Sequence, residues 1–399
     1  MKKKNFLLFP LFFITAIILS SCSKENSEIV SWNSPTSESP DLSESGQNPD
    51  ETALSNENDN HSNGFIYLQS NEAANNSILV FRQNNNGTLS LQSTISTGGN
   101  GTGDGLGNQG AIETSKNDKW LFTVNAGSNS VSSFKITNSG NLNLAGTVSS
   151  GGVRPVSVTI HKKIIYVVNA GSDNISGYRV ANNGVMTPIA GSIQSLSATG
   201  SGPAQISFSP NGRFLYVTEK ATNKISIFPV NSNGVAGNGK AVLSTGQTPF
   251  GFDIARNRYL IVSNAAGGAP GASTVTSYEG INSGIISNVN GAVPNNQAAA
   301  CWVANTKFGR FTFVTNTASN NISSYYIGHS GRLFLIHSDI PSGDGPTEIV
   351  VADDNIYVHV LNAAAHTISS YRRTLLGGLS PVGITSGLPN AATGIAAVK

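Results

Sequence analysis

A glutamate and a lysine stand side by side at Glu219-Lys220, where five otherwise similar segments carry an asparagine (Asn125, Asn169, Asn264, Asn316 and Asn362). As chemistry, Glu219 is a candidate general base and Lys220 a candidate anion ligand; as structure, the two make a surface ion pair of little energetic worth. The asparagines suit tight turns, because Asn tolerates left-handed backbone and bonds its own main chain. A second set of polar residues, Gln109, Glu113, Arg154, Gln205, Asp253, Gln297 and Glu348, punctuates short apolar segments. If those segments meet around a common centre, the polar groups either converge on a ligand or bond neighbouring strands and water.

Other chemistry finds little support. The run GGNGTGDGLGNQG (98–110) would let backbone approach a ligand closely, or simply form a loop. No helix follows it and no Lys-Ser or Lys-Thr closes it, so it is not a phosphate-binding loop. The six histidines (His61, His161, His329, His337, His359 and His366) lack metal-ligand spacing. Cys301 lies beside Trp302 in an apolar strand, as core residues do. There is no G-x-S-x-G elbow and no acid-rich calcium loop. No metal and no cofactor is expected.

The elements that must position these residues repeat along the chain. A short apolar strand, a polar turn and a second strand ending on an aromatic recur as LFTVNAGSNSVSSF (121–134), IYVVNAGSDNISGY (165–178), LYVTEKATNKISIF (215–228) and TFVTNTASNNISSY (312–325). A longer copy is 260–278, a looser one 358–371, and an altered first copy 66–81. The closing aromatics Phe81, Phe134, Tyr178, Phe228, Tyr278, Tyr325 and Tyr371 are spaced at about one four-stranded propeller blade.

Before the core units lie innermost-strand candidates at 109–115, 155–161, 203–209, 249–255, 298–304 and 346–352. A seventh, ATGIAAV (392–398), falls at the far end of the sequence, whereas the first copy opens directly on its second strand. The expectation is an all-β, seven-bladed β-propeller over residues 64–399, its C-terminal strand closing the first blade so that no sheet edge is left free.

The N-terminal segment has another character. Lys2, Lys3 and Lys4 precede an apolar stretch from Phe6 to Leu19 and the sequence Leu19-Ser20-Ser21-Cys22. That is the layout of a secretory signal, too short to span a bilayer as a helix. Residues 1–21 are read as a lipoprotein signal peptide, with Cys22 acylated and the protein held at the outer membrane or cell surface. Residues 23–63 are polar and acidic, a disordered tether. Formal net charge is +2 with 12% charged residues, so no basic patch calls for nucleic acid. With Cys22 lipidated, Cys301 has no disulfide partner. The chain is expected to act as a monomer.

The repeat, clearest in FSPNGRFLYVTEKATNKISIF (208–228), resembles the 6-phosphogluconolactonase-like family of seven-bladed propellers. TGGNGTGDGLGNQGAI (97–112), VTEKATN (217–223), TPFGF (248–252), AAACWV (298–303) and TNT (315–317) look like an exported subgroup of it. The resemblance implies lactone chemistry at the channel mouth, on a non-phosphorylated lactone given the exported location. Arg154 or Lys220 would polarise the carbonyl and Glu219 or Glu113 would activate water. The alternative is a non-catalytic module holding a glycan, peptide or partner protein on the same face.

Overall fold

The computed structural model describes residues 64–399, so the signal segment, Cys22 and the tether lie outside the described residues. Seven antiparallel sheets follow one another, each ordered from its innermost strand outwards. Blade one runs Thr393–Val398, Phe65–Gln69, Ser77–Gln83, Leu89–Ser96, and blade two Ile112–Thr114, Trp120–Asn125, Ser130–Ile136, Leu142–Ser149. The inner strands of blades three to seven are Pro155–His161, Pro203–Phe208, Pro249–Ala255, Ala300–Asn305 and Pro346–Val351. No α-helix occurs among the described residues; Ala266–Gly268 and Thr317–Ser319 are single 3₁₀ turns.

The burial explains the sequence pattern. Second strands such as Phe311–Asn316 and Tyr357–Asn362 are buried at every position, because a neighbouring blade covers each face. They therefore read as continuous apolar runs. Outer strands such as Leu89–Ser96 are exposed over most of their length and read as polar.

The predicted closure is present. Thr393–Val398 pairs antiparallel with Phe65–Gln69, from Phe65 opposite Val398 to Gln69 opposite Thr393. The Gly64 carbonyl also accepts from the Gln83 amide at 2.9 Å.

One device recurs between blades. The turn joining third and fourth strands holds a glycine at positive φ, and its Cα lies against the side chain that opens the second strand of the preceding blade. A Cβ on Gly140 would fall 2.2 Å from Phe65, on Gly184 2.2 Å from Trp120, and on Gly284 2.3 Å from Phe214. The series ends where Gly87 of blade one meets Tyr357 of blade seven, again at 2.2 Å. Tyrosine hydroxyls fasten the same junctions: Tyr67 donates to the Gly140 carbonyl at 2.8 Å and Tyr357 to that of Asn85 at 2.9 Å.

The recurring asparagines have a different job from the one expected. Asn125, Asn169, Asn264, Asn316 and Asn362 are buried strand ends outside the left-handed region, which is occupied at the turns by Asn129, Asp173, Asn223, Asn320 and His366. Each buried amide donates to a hydroxyl on the third strand. Asn125 reaches Ser132 at 2.8 Å, Asn316 reaches Ser323 at 2.8 Å and Asn362 reaches Ser369 at 2.9 Å. In four of the five the oxygen accepts from the loop entering the blade, as Asn125 does from Thr97 at 2.7 Å and Asn362 from Ser342 at 2.8 Å, whereas Asn169 donates its amide to the Ser150 carbonyl at 3.1 Å. A buried amide clamps hairpin to loop.

Two outcomes check this architecture. Removing 393–399 should lower the melting temperature of the whole domain in one cooperative transition; loss of a minor early phase alone would contradict it. Gly140→Ala should cost about 1–3 kcal/mol from its backbone conformation alone, and more as Phe65 is displaced, read from denaturant midpoints.

Candidate functional site

The inner strands surround a channel, and the glycine-rich loop crosses its upper end, where those strands begin. Gln109 leaves the strand it was expected to open and donates its backbone N–H to the Ala204 carbonyl of blade four at 3.0 Å. Its amide nitrogen reaches the Val303 carbonyl at 2.9 Å, and its amide oxygen accepts from the Val303 N–H at 3.1 Å. Asn108 donates to the Val156 carbonyl of blade three, accepts the Trp302 indole N–H of blade six, and lies 3.4 Å from the Thr393 hydroxyl of blade one. With the Gln109 amide nitrogen also 3.4 Å from the Phe252 carbonyl of blade five, two consecutive amide residues bridge five blades. Gly251 makes room for them: a Cβ there would lie 1.9 Å from the Gln109 amide oxygen.

Beneath this crosspiece is a cavity of about 290 Å³, lined by Gln109, Glu113, Gln205, Ser207, Asp253 and Asn305 among apolar residues that include Trp302 and Ile349. Its lining contains two carboxyl groups and no Lys, Arg or His. Burial, and behind it the charge of Asp253, pushes Glu113 up to about 8. Asp253 is also raised by burial, but amides oppose the shift: its oxygens accept from the Asn305 N–H at 2.8 Å and the Ile254 N–H at 2.7 Å. Both side chains are half-buried and line the channel space. Near neutral pH the pair holds a protonated Glu113 facing a hydrogen-bonded Asp253 across a site large enough for a small ligand.

The other expected site residues separate. Glu219 is fully buried, and its oxygens accept from the Ser197 N–H at 3.1 Å, the Thr222 hydroxyl at 2.8 Å and the Ser226 hydroxyl at 2.5 Å, with Ser197 donating its hydroxyl as well. It occupies the clamp position of the asparagines with the polarity inverted, accepting from the third-strand hydroxyl where they donate. The structure does not bring it to the channel or pair it with Lys220.

Lys220 sits at the upper mouth, donating to the Gly107 carbonyl with its nitrogen 4.8 Å from the centre of the Phe250 ring. Burial first, and then nearby Arg154, lowers its pKa. Arg154 is exposed at positive φ in the same quarter. These two cations are above the crosspiece and the cavity carboxyls below it.

Gln205 lines the cavity and accepts the Phe252 N–H at 2.6 Å. Gln297 lies outside it, its amide oxygen accepting from Asn321 at 2.8 Å. Glu348 is buried against Thr393, whose hydroxyl donates to it at 2.5 Å; its other oxygen has no partner, and burial pushes it up to about 8. The Cys301 thiol, buried nearby, is pushed up to about 12 by burial, so it is no nucleophile at neutral pH. No group of His, Cys, Asp and Glu with metal-binding geometry occurs among the described residues. Asn108, Trp302 and Asn305 were missed because a backbone contact across a channel leaves no trace in a local motif.

A family model for the lactonase seven-bladed β-propeller matches residues 59–199 and 190–279. No curated protein matches the chain. Among solved structures, a candidate 6-phosphogluconolactonase from Bacteroides fragilis is 17% identical, with 86% of this chain and 99% of that one aligned at a TM-score of 0.69. The periplasmic gluconolactonase PpgL of Pseudomonas aeruginosa is 15% identical over 83% of this chain and 99% of its own, TM-score 0.68. A protein from Lactobacillus plantarum is 16% identical over 84% and 99%, TM-score 0.70. Identities this low carry the fold alone.

Two substitutions separate structural acids from the candidate site. Glu219→Ala should destabilise by about 1–3 kcal/mol, because it strands buried hydroxyls; denaturant unfolding reads this. Glu348 binds its proton more tightly folded than unfolded, so its contribution to stability is present below the ordinary carboxylate pKa and is lost as pH rises through about 8. Glu348→Gln should therefore melt higher than the parent at pH 8.5, with the gap shrinking towards pH 5.

Proposed function

Because the chain belongs to the lactonase family of seven-bladed β-propellers, we propose that it hydrolyses a small non-phosphorylated lactone in the channel cavity, below the Asn108–Gln109 crosspiece. The observation that carries this is the pair of carboxyl groups in one cavity with unlike surroundings, Glu113 held protonated and Asp253 held by two backbone amides. Such divergence assigns an acid and a base. Asp253 takes a proton from water as the oxygen attacks the acyl carbon; Glu113 gives its proton to the ring oxygen as the acyl C–O bond breaks. Water then restores both groups through the channel.

The lining argues for the substrate class. With two acids and no cation, it would repel a phosphate, and about 290 Å³ lies at the small end of ligand sites. A sugar lactone also suits the reading of residues 1–22 as an export signal with a lipidated cysteine, which would hold the propeller at the outer membrane or cell surface. The similar P. aeruginosa protein is by name a periplasmic gluconolactonase.

The second reading is a non-catalytic module using the upper face, where Lys220 and Arg154 stand above the crosspiece. Acid release from glucono-δ-lactone and aliphatic lactones, with spontaneous hydrolysis subtracted, decides between them. Turnover should follow a bell-shaped pH profile, its alkaline limb near pH 8 as Glu113 ionises and its acid limb set by Asp253. Asp253→Asn and Glu113→Gln should each lower kcat at least about a hundredfold. No turnover, or turnover indifferent to both changes, would leave the binding module.

A further inference from the structure

The overall charge of +2 conceals an uneven distribution: residues 64–399 carry 20 Lys and Arg against 13 Asp and Glu. Within blades two to four the cations concentrate at one end of the strands. In an antiparallel blade, the turn between first and second strands and the turn between third and fourth emerge on the same face. Lys116, Lys119, Lys162, Lys163 and Arg213 lie at or beside the former turns, Lys135 and Arg179 at the latter, and all seven are exposed. Asp118 is the acid in those turns, half-buried, and charges outside this cluster, Asp353 and Lys307, act on it. Neither of the ion pairs found among the described residues, Arg258–Glu279 and Lys307–Asp353, involves any of the seven.

The surface is also shaped. A groove of about 480 Å³ between blades three and four is lined by Lys162, Arg213, Asn231 and Ser232, with the rings of His161 and Phe208 in its wall, their centres 5.7 Å apart. A second groove, on the other side of the Lys162–Lys163 turn, is lined by Lys163, Arg179 and Asn182. The cations here are held in place. The Lys163 ammonium donates to the Asn182 side chain at 2.7 Å, and the Arg179 guanidinium to the Asn233 carbonyl at 2.8 Å. Burial and the charges of Lys162 and Lys116 lower the pKa of His161, so the groove gains no charge from it at neutral pH.

We propose that this face of blades two to four binds an acidic polysaccharide, one uronate unit to each groove. Carboxylates would meet Lys162 and Arg213 in one groove and Lys163 and Arg179 in the next, hydroxyls the Asn and Ser side chains, and a pyranose face the His161 and Phe208 rings. A planar membrane surface would engage the raised turn and leave both grooves empty. The inference is independent of the lactonase reading, because Glu113 and Asp253 lie in the central channel.

The test is retardation of the full chain in gels containing polygalacturonate, with its fully methyl-esterified form as the neutral control. The native chain should be retarded by the acidic polymer alone, less so as salt rises. K162E combined with R213E should weaken binding at least tenfold at unchanged melting temperature, whereas R332E, on the outer turn of blade six, should leave it unchanged. Equal binding to the esterified polymer, equal loss in R332E, or no loss in the double variant would overturn the proposal. Tighter binding to phosphatidylglycerol vesicles or duplex DNA at the same salt would overturn it too, and assign the surface to those partners.

Discussion

Seven wedge-shaped sheets enclose a channel only if the seventh meets the first, and here that meeting depends on hydrogen bonds between strands at opposite ends of the domain. Thr393–Val398 lies beside Phe65–Gln69 and supplies the innermost strand that blade one lacks. The other features presuppose this pairing. The staple of Gly87 against Tyr357 needs blade seven beside blade one, and the Thr393 hydroxyl is placed against both Glu348 and Asn108. The closure covers the inner edge of Phe65–Gln69 but not, as was expected, every edge, since the fourth strand of each blade, such as Leu89–Ser96, is paired on one side only.

Much of this architecture was legible because a propeller is a repeat, and repeats announce themselves through apolar runs and closing aromatics. The terminal strand could be placed by counting: six inner strands within the sequence and one at its end. The asparagines were visible but misread. Local statistics assign Asn to turns, whereas the buried clamp joins the Asn125 amide to Ser132 and its oxygen to Thr97, a loop residue 28 positions earlier. Glu219 was singled out correctly as a break in the pattern. Its meaning became clear only once Ser197, Thr222 and Ser226 were seen around it, converting a candidate base into a substitute clamp.

The channel itself was legible in part. Glu113, Asp253, Gln205 and Gln109 were placed on inner strands, and all four line the cavity. Their division into roles was not, because it depends on which carboxyl meets the Asn305 and Ile254 amides and which does not. Nor was the separation of Lys220 and Arg154 from the acids, which follows from a loop folding across five blades. Burial without a compensating cation raises Glu113, Glu348 and Asp253 alike in the low-dielectric centre of the ring, and at Asp253 two backbone amides oppose the shift.

The strand that follows the N-terminal segment is sandwiched. Phe65–Gln69 has Thr393–Val398 on one side and Ser77–Gln83 on the other, and Gly64 is already held by Gln83. A pull along the chain from its N-terminal side therefore loads two ladders of hydrogen bonds in shear, all at once, instead of peeling them one by one. The propeller thus resists traction at the point where the polypeptide enters it, and yielding there would part it from its own last strand.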